Sequence, residues 1–127
     1  QLETLRHKGV CVSQDGARRL ERATQTQARG QLWFSLRIKR ITASNFGSVI
    51  KRRASTGPLN LVHSITRVTR VETDAMRWGI GNEDMAASEY ADTCEVGVRT
   101  CGFFIDPQTC WLGATPDRLV TDPRDRK

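Results

Sequence analysis

TDAMRWGIGNEDMAASEYA, residues 73–91, carries the clearest helical pattern of the chain. Five of its residues recur at intervals of three or four and therefore share one helix face: Met76, Ile80, Glu83, Ala87 and Tyr90. Thr73 stands where a helix cap is expected. The pattern predicts a long helix whose shared face is apolar except for Glu83.

Glu83 is unusual because a lone carboxylate on an apolar face needs a partner if that face is buried. It is therefore a candidate for positioning a metal ion or a catalytic water. The sequence is equally compatible with a nearby arginine that binds the carboxylate, or with a face that is not buried. The adjacent Asp84 is predicted to face solvent.

Upstream of this helix the chain predicts shorter helices. Residues 17–39 are rich in helix formers, and Gly30 is expected to interrupt them. Thr42 or Ser44 is predicted to cap the next helix, which carries three apolar residues on one side: Phe46, Val49 and Ile50. A loop is expected over 55–60, followed by a short helix.

After Cys94 the pattern changes from helix to strand. Residues 95–105 and 110–120 predict two strands joined by a turn at Asp106-Pro107. An isolated hairpin is marginally stable, so we expect a third strand after a further turn at 121–125. Helices followed by strands predict an α/β fold.

The charge of the chain is unevenly distributed over its 127 residues, which are enough for one domain. Residues 1–53 hold 12 Lys/Arg against 3 Asp/Glu, whereas residues 54–127 hold 8 against 11. The basic half suits a polyanion such as DNA, and the acidic half could supply metal ligands; a solvated charged face is the alternative. No apolar run approaches the ~20 residues of a membrane helix, so we expect no membrane partner.

The four cysteines form no C-x-x-C pair, and the chain has two histidines, which disfavours a structural zinc site. We expect reduced thiols that serve as small hydrophobes in an intracellular protein: Cys11, Cys94, Cys101 and Cys110.

Two further features point to phosphate chemistry. Asp117 follows Pro116 where a strand starts or bends, so its carboxylate could coordinate Mg²⁺, although a Pro-Asp pair also simply favours a turn. Arg37 and Ser44 flank a predicted helix start, where N–H groups, a hydroxyl and a guanidinium could together hold a phosphate. Ordinary capping by Ser44 with a solvated Arg37 is the alternative.

Four motifs, in this order, resemble the lambda-exonuclease or YqaJ-like viral recombinase family of the PD-(D/E)-x-K nucleases. They are Trp33 and Arg37 with RITASNFGSV (40–49), WGIGNEDMAASEY (78–90), GFFI (102–105) and WLGATPD (111–117). The resemblance runs over residues 27–122 and implies a restriction-endonuclease-like core with helices packed on a mixed sheet. We expect a partial exonuclease domain over 27–127 and leave 1–26 as an N-terminal extension.

The resemblance also implies roles for individual residues. Glu83 and Asp117 resemble the catalytic pair that binds Mg²⁺ or Mn²⁺. Four residues resemble the phosphate- and DNA-binding set: Arg37, Ser44, Lys39 and Arg40. Arg37 and Ser44 would hold the terminal 5′-phosphate of linear duplex DNA, which a 5′→3′ exonuclease degrades in recombination or repair. A homo-oligomer and a single-strand annealing partner are further implications.

The chain departs from the family pattern at two places. Arg118 stands where the family often has glycine after Pro-Asp, a change that is either harmless or crowds the strand. The E-x-K motif of the next strand is absent from RLVTDPRDRK, 118–127, and its D-R-K lies close to a proline-containing turn. We therefore expect a chain that stops before that strand. A catalytically incomplete DNA-binding remnant is the alternative function, and a partner-binding domain without affinity for DNA is the third.

Overall fold

A computed structural model describes residues 11–67 and 73–125 of the chain. The chain divides into two compact units, which are described separately below. Among the described residues, the first unit comprises 11–67 and 102–115, and the second comprises 73–101 and 116–125. Both contain helix and antiparallel strand pairs, which confirms the predicted α/β class.

The first unit is built mainly from four helices, α1 (Gln14–Ala23), α2 (Gln31–Ile38), α3 (Ala43–Ile50) and α4 (Leu59–Thr66). The predicted interruption at Gly30 is confirmed, because this residue separates a short 3-10 turn from α2. Thr42 is the N-cap of α3, and its N–H donates to Asn45 Oδ1 at 2.8 Å. Pro58 precedes α4, so this helix begins inside the predicted loop.

The two predicted strands are each divided in two. The structure has β1 (Gly97–Arg99), β2 (Phe104–Ile105), β3 (Gly113–Ala114) and β4 (Leu119–Thr121). In the first unit β2 pairs antiparallel with β3, and in the second β1 pairs antiparallel with β4. The predicted turn is confirmed, since the Gln108 N–H donates to Asp106 Oδ1 at 2.9 Å. Within the described residues, parallel pairing is confined to an isolated bridge between Ile41 and Leu112.

Phe103 is the centre of the first unit's core and is 0% exposed. Its N–H donates to Thr24 Oγ1 at 2.8 Å, and the Thr24 hydroxyl in turn donates to the Leu20 carbonyl at 2.7 Å. A side chain at Gly102 would collide with the Glu21 carbonyl, so the close approach of the segment before β2 to α1 requires glycine. Helix α1 therefore packs as part of the first unit. The boundary proposed at residue 27 stays a prediction.

Cys11 and Cys110 form a disulfide with their Cα atoms 4.9 Å apart. The expectation of four reduced thiols is therefore wrong for this pair. The fold joins two cysteines 99 positions apart in sequence, and spacing alone gives no indication of such a contact. Cys94 and Cys101 remain thiols, and the Cys101 Sγ donates to the Pro116 carbonyl at 3.2 Å.

The second unit is dominated by α5 (Asp74–Cys94), whose start confirms the predicted cap. Thr73 Oγ1 accepts the Met76 N–H at 3.2 Å. None of the residues of α5 is buried in the described structure, and Met76 and Ile80 are 52% and 47% exposed. The predicted apolar face is thus an exposed one, so Glu83 does not need a partner to offset burial. Over residues 11–67 and 73–125, no helix is both long enough and apolar enough to cross a bilayer.

Candidate functional site

The structure brings together Arg37 and Ser44, the two residues predicted to hold a phosphate. Arg37 lies in the last turn of α2 and Ser44 in the first turn of α3. Arg37 Nη2 donates to Ser44 Oγ at 2.8 Å, and Ser44 Oγ lies 3.1 Å from Thr42 Oγ1. Because Thr42 takes the cap position, the exposed Ser44 hydroxyl is left beside the guanidinium. We call Arg37 and Ser44 the phosphate seat, after the role that the sequence predicts for them.

A buried tryptophan holds the guanidinium of the phosphate seat. The Arg37 Cζ lies 4.9 Å from the centroid of the Trp33 ring, a distance typical of a cation–π contact. Trp33 is 8% exposed, and its Nε1 donates to Thr115 Oγ1 at 3.1 Å. Burial lowers the pKa of Arg37, yet an arginine stays charged at neutral pH. The seat therefore keeps its positive charge in an orientation that the core fixes.

The connection between α2 and α3 is anchored to the segment that precedes and includes β3. Arg40 is 2% exposed, and its Nε donates to the Cys110 carbonyl at 3.0 Å while Nη1 donates to the Leu36 carbonyl at 2.9 Å. The Ile41 N–H donates to the Trp111 carbonyl at 2.7 Å. These bonds hold the ends of the two helices that carry the phosphate seat.

Two residues of the predicted DNA-binding set differ in exposure. Arg40 is occupied with main-chain carbonyls, and its burial lowers the pKa of its guanidinium. Arg40 thus has a structural role in the fold, and its predicted contact with DNA stays a prediction. Lys39 is exposed, as are the basic residues at 51–53 that follow α3. These exposed residues are the ones that a nucleic-acid backbone could reach.

Arg118 contacts both residues of the other predicted pair within the second unit, the side chain of Glu83 and the main chain of Asp117. Its Nη1 lies 3.8 Å from Glu83 Oε2 and donates to the Asp117 main-chain carbonyl at 2.6 Å. Its Nη2 pairs with Asp84 Oδ1. A nearby arginine, one of the alternatives that the sequence allowed for Glu83, is thus also observed. Asp117 itself is exposed, at a bend directly before β4.

The acidic residues around Arg118 carry oxygen donors of the kind that a hard divalent cation takes. Glu83, Asp84 and Asp117 supply carboxylate oxygens, and the side chains of the first two are 42% and 92% exposed. Mg²⁺ keeps several of its waters and takes one or two protein carboxylates, so accessible carboxylates suit it. Across the described residues, however, no group of three or more His, Cys, Asp or Glu side chains lies together in a way that could hold a metal ion.

The sequence did not indicate the contacts of Arg118. The only signal was the departure after Pro-Asp, where a long cationic side chain replaces the glycine of the resembled family. Its partner Asp84 lies 34 positions away in sequence, on another element, so only the tertiary structure reveals the pairing.

Comparison with known proteins supports one family. The YqaJ-like viral recombinase domain matches residues 32–127, which include the phosphate seat, Glu83 and Asp117. No curated protein matches the chain significantly. The family indicated by the four sequence motifs is confirmed by this match.

Proposed function

The chain belongs to the YqaJ-like viral recombinase domain family, and from this premise we propose that it is a metal-dependent DNA nuclease. We propose more specifically a 5′→3′ exonuclease that acts on linear duplex DNA in recombination or repair, with a restriction-endonuclease-like core. The observation that carries the proposal is the phosphate seat, in which Arg37 and Ser44 converge at 2.8 Å.

The phosphate seat has the chemistry needed for a terminal phosphate. A guanidinium presents a planar fork of N–H donors that matches phosphate oxygens, and a neighbouring hydroxyl adds another donor. Ser44 lies in the first turn of α3, where the helix end favours negative charge. The Trp33 ring limits the conformations of Arg37, so little conformational entropy is lost when phosphate binds.

Glu83 and Asp117 are the residues that we propose hold Mg²⁺ or Mn²⁺. A bound ion of this kind lowers the pKa of an attacking water and neutralises charge that develops on the phosphate. Glu83 projects from α5, a regular helix, while Asp117 sits at the bend before β4. Their exposure leaves both accessible to a hydrated ion and to a DNA strand.

The second candidate is a DNA-binding domain without catalysis. One observation favours it: the described residues bring together no cluster of three metal-ligating side chains. Lys127, the lysine of the D-R-K sequence, lies outside the described residues. Lys39 and the basic residues at 51–53 would then bind phosphates without sequence preference and with strong salt dependence.

Two partner proposals rest on the family resemblance alone. They are assembly into a homo-oligomer and cooperation with a single-strand annealing protein. Sedimentation of the purified chain tests the first, and co-purification with an annealing protein from the same genome tests the second.

The deciding experiment digests linear duplex DNA, carrying either a 5′-phosphate or a 5′-hydroxyl, in Mg²⁺ or in EDTA. We expect Mg²⁺-dependent loss of the phosphorylated substrate. Glu83→Gln and Asp117→Asn should each slow cleavage roughly 100-fold or more, the effect of removing a group that stabilises developing charge. Both variants should still bind DNA, because neither change touches the phosphate seat.

Glu89→Gln is the matched control, since it makes the same substitution at another exposed position of α5. It should cleave like the unmodified chain. Binding without cleavage by the unmodified chain would favour the second candidate. Full cleavage by Glu83→Gln or Asp117→Asn would contradict the assignment of these residues.

A further inference from the structure

Helix α1 carries different residues on its two sides. Ala17 and the C-cap residue Thr24 are 8% and 1% exposed and face the core, whereas Arg18 and Arg22 are exposed. The two arginines are four positions apart, so their side chains are neighbours on one side of the helix. We call Arg18 and Arg22 the basic face of α1.

The acidic side chains of the helix do not neutralise the basic face. Asp15 forms an ion pair with Arg19, and Glu21 Oε1 accepts the Gly102 N–H at 2.9 Å. Within the part of the chain that the structure describes, neither arginine of the basic face forms an ion pair. The face therefore presents two neighbouring positive charges to solvent.

This arrangement of charge does not stabilise the helix. Like charges four positions apart on a helix repel each other and lower its stability slightly. Arg22 lies in the last turn, where a positive charge is favourable because of the helix dipole. Arg18 lies in the middle of the helix and has no such benefit. An anionic partner that contacts both side chains would relieve the repulsion.

The packing of α1 gives the basic face a fixed position in the first unit. Thr24 Oγ1 accepts the Phe103 N–H at 2.8 Å at the end of the helix. The disulfide between Cys11 and Cys110 joins the segment before α1 to the segment before β3. A surface that is already ordered loses less conformational freedom on binding than a mobile tail does.

We propose that the basic face of α1 binds the phosphate backbone of DNA, as a contact separate from the phosphate seat. The phosphates of one strand recur about every 3.4 Å along the DNA axis, so two arginines about 6 Å apart along a helix can each contact a phosphate. This inference rests on the proposed function, because it takes DNA as the partner. It goes beyond that function because α1 precedes residues 32–127, the part that matches the YqaJ-like viral recombinase domain.

The test measures binding of the full chain to a 5′-hydroxyl DNA duplex in EDTA over a range of salt concentrations. The slope of the logarithm of the binding constant against the logarithm of salt concentration reports the phosphates neutralised, at about 0.9 for each contact. Arg18→Gln combined with Arg22→Gln should reduce the magnitude of this slope by about 1.8, and each single variant by about half as much. Arg18→Lys and Arg22→Lys keep the charge and should leave the slope unchanged.

Arg77→Gln is the matched control, since it removes an exposed arginine of α5 that forms an ion pair with Asp74. It lowers the net charge as much as either single variant does. Its slope should equal that of the unmodified chain, because salt screens charges that do not touch the DNA. An equal fall of the slope in Arg77→Gln and in the single variants would overturn the inference, since net charge alone would then explain it.

The same titration separates this inference from the function on which it rests. If the unmodified chain binds DNA and the double variant keeps the same slope, the inference alone is overturned. If the unmodified chain does not bind DNA, the proposed function is overturned and the inference with it. The preference for a 5′-phosphorylated end should be equal in the double variant and the unmodified chain. A preference lost in the double variant would overturn the separation of the basic face from the phosphate seat.

Discussion

The phosphate seat and the neighbourhood of Glu83 are held by different means. The seat rests on buried groups, since Trp33 and Arg40 are 8% and 2% exposed and bond to the segment around β3. The side chains of Glu83 and Asp84 are 42% and 92% exposed, and their contacts with Arg118 are ion pairs outside a buried core. The contrast teaches that a change in the core under the seat acts through folding, whereas a change near Glu83 acts through charge.

The largest expected effect is on the core beneath the phosphate seat. Phe103→Ala should lower the free energy of unfolding by about 3–5 kcal/mol, since it empties a fully buried aromatic position. Trp78→Ala, at a residue of α5 that is 72% exposed, should change it by less than about 0.5 kcal/mol. Urea denaturation measures both. Similar losses in the two variants would break the contrast between the regions.

The disulfide should have the next largest effect. Cys11→Ser should lower the free energy of unfolding by about 2–4 kcal/mol, because the bond restricts the unfolded chain. A reductant should destabilise the unmodified chain by a similar amount and leave Cys11→Ser unaffected. Cys94→Ser, at a thiol outside the disulfide, is the control. If the melting temperature of the unmodified chain does not change with reductant, the pairing of Cys11 with Cys110 is contradicted.

The smallest expected effect is a pH dependence at the turn between β2 and β3. The Gln108 N–H lowers the pKa of the Asp106 carboxyl, so the folded chain favours the ionised form. Its stabilising contribution should be complete above about pH 4, the range of an unfolded aspartate, and fade as the pH falls through the lower folded value. The difference in melting temperature between Asp106→Asn and the unmodified chain should become smaller as the pH is lowered. A difference independent of pH would show that this carboxylate contributes nothing by charge.

Local patterns predicted the helices well because their causes are local. The start of α5 at Thr73 depends on a cap three positions from its donor, and the interruption at Gly30 depends on one residue. The turn at Asp106 likewise closes over two positions. The sequence did not reveal that each predicted strand is divided in two, because the limits of a strand depend on the residues with which it pairs.

The candidate site shows the same limit. Arg37 and Ser44 are seven positions apart, so a helix end and a helix start sufficed to place them together. The bond between Trp33 and Thr115 spans 82 positions, and the bond between Arg40 and Cys110 spans 70. No short pattern encodes such contacts. The burial of Arg40 depends on one of these distant contacts, so it could not be predicted from the sequence. Arg40 was predicted to bind DNA, and in the fold its guanidinium donates to main-chain carbonyl groups.

One binding measurement decides whether the phosphate seat recognises a DNA end. Duplexes with a 5′-phosphate or a 5′-hydroxyl are titrated in EDTA, so that no cleavage intervenes. The unmodified chain should prefer the phosphorylated end roughly tenfold, as expected for charge-assisted hydrogen bonds. Arg37→Ala should lose this preference, and Lys39→Ala should weaken binding to both ends equally. Equal affinity of the unmodified chain for both ends, or a preference that survives in Arg37→Ala, would contradict the assignment.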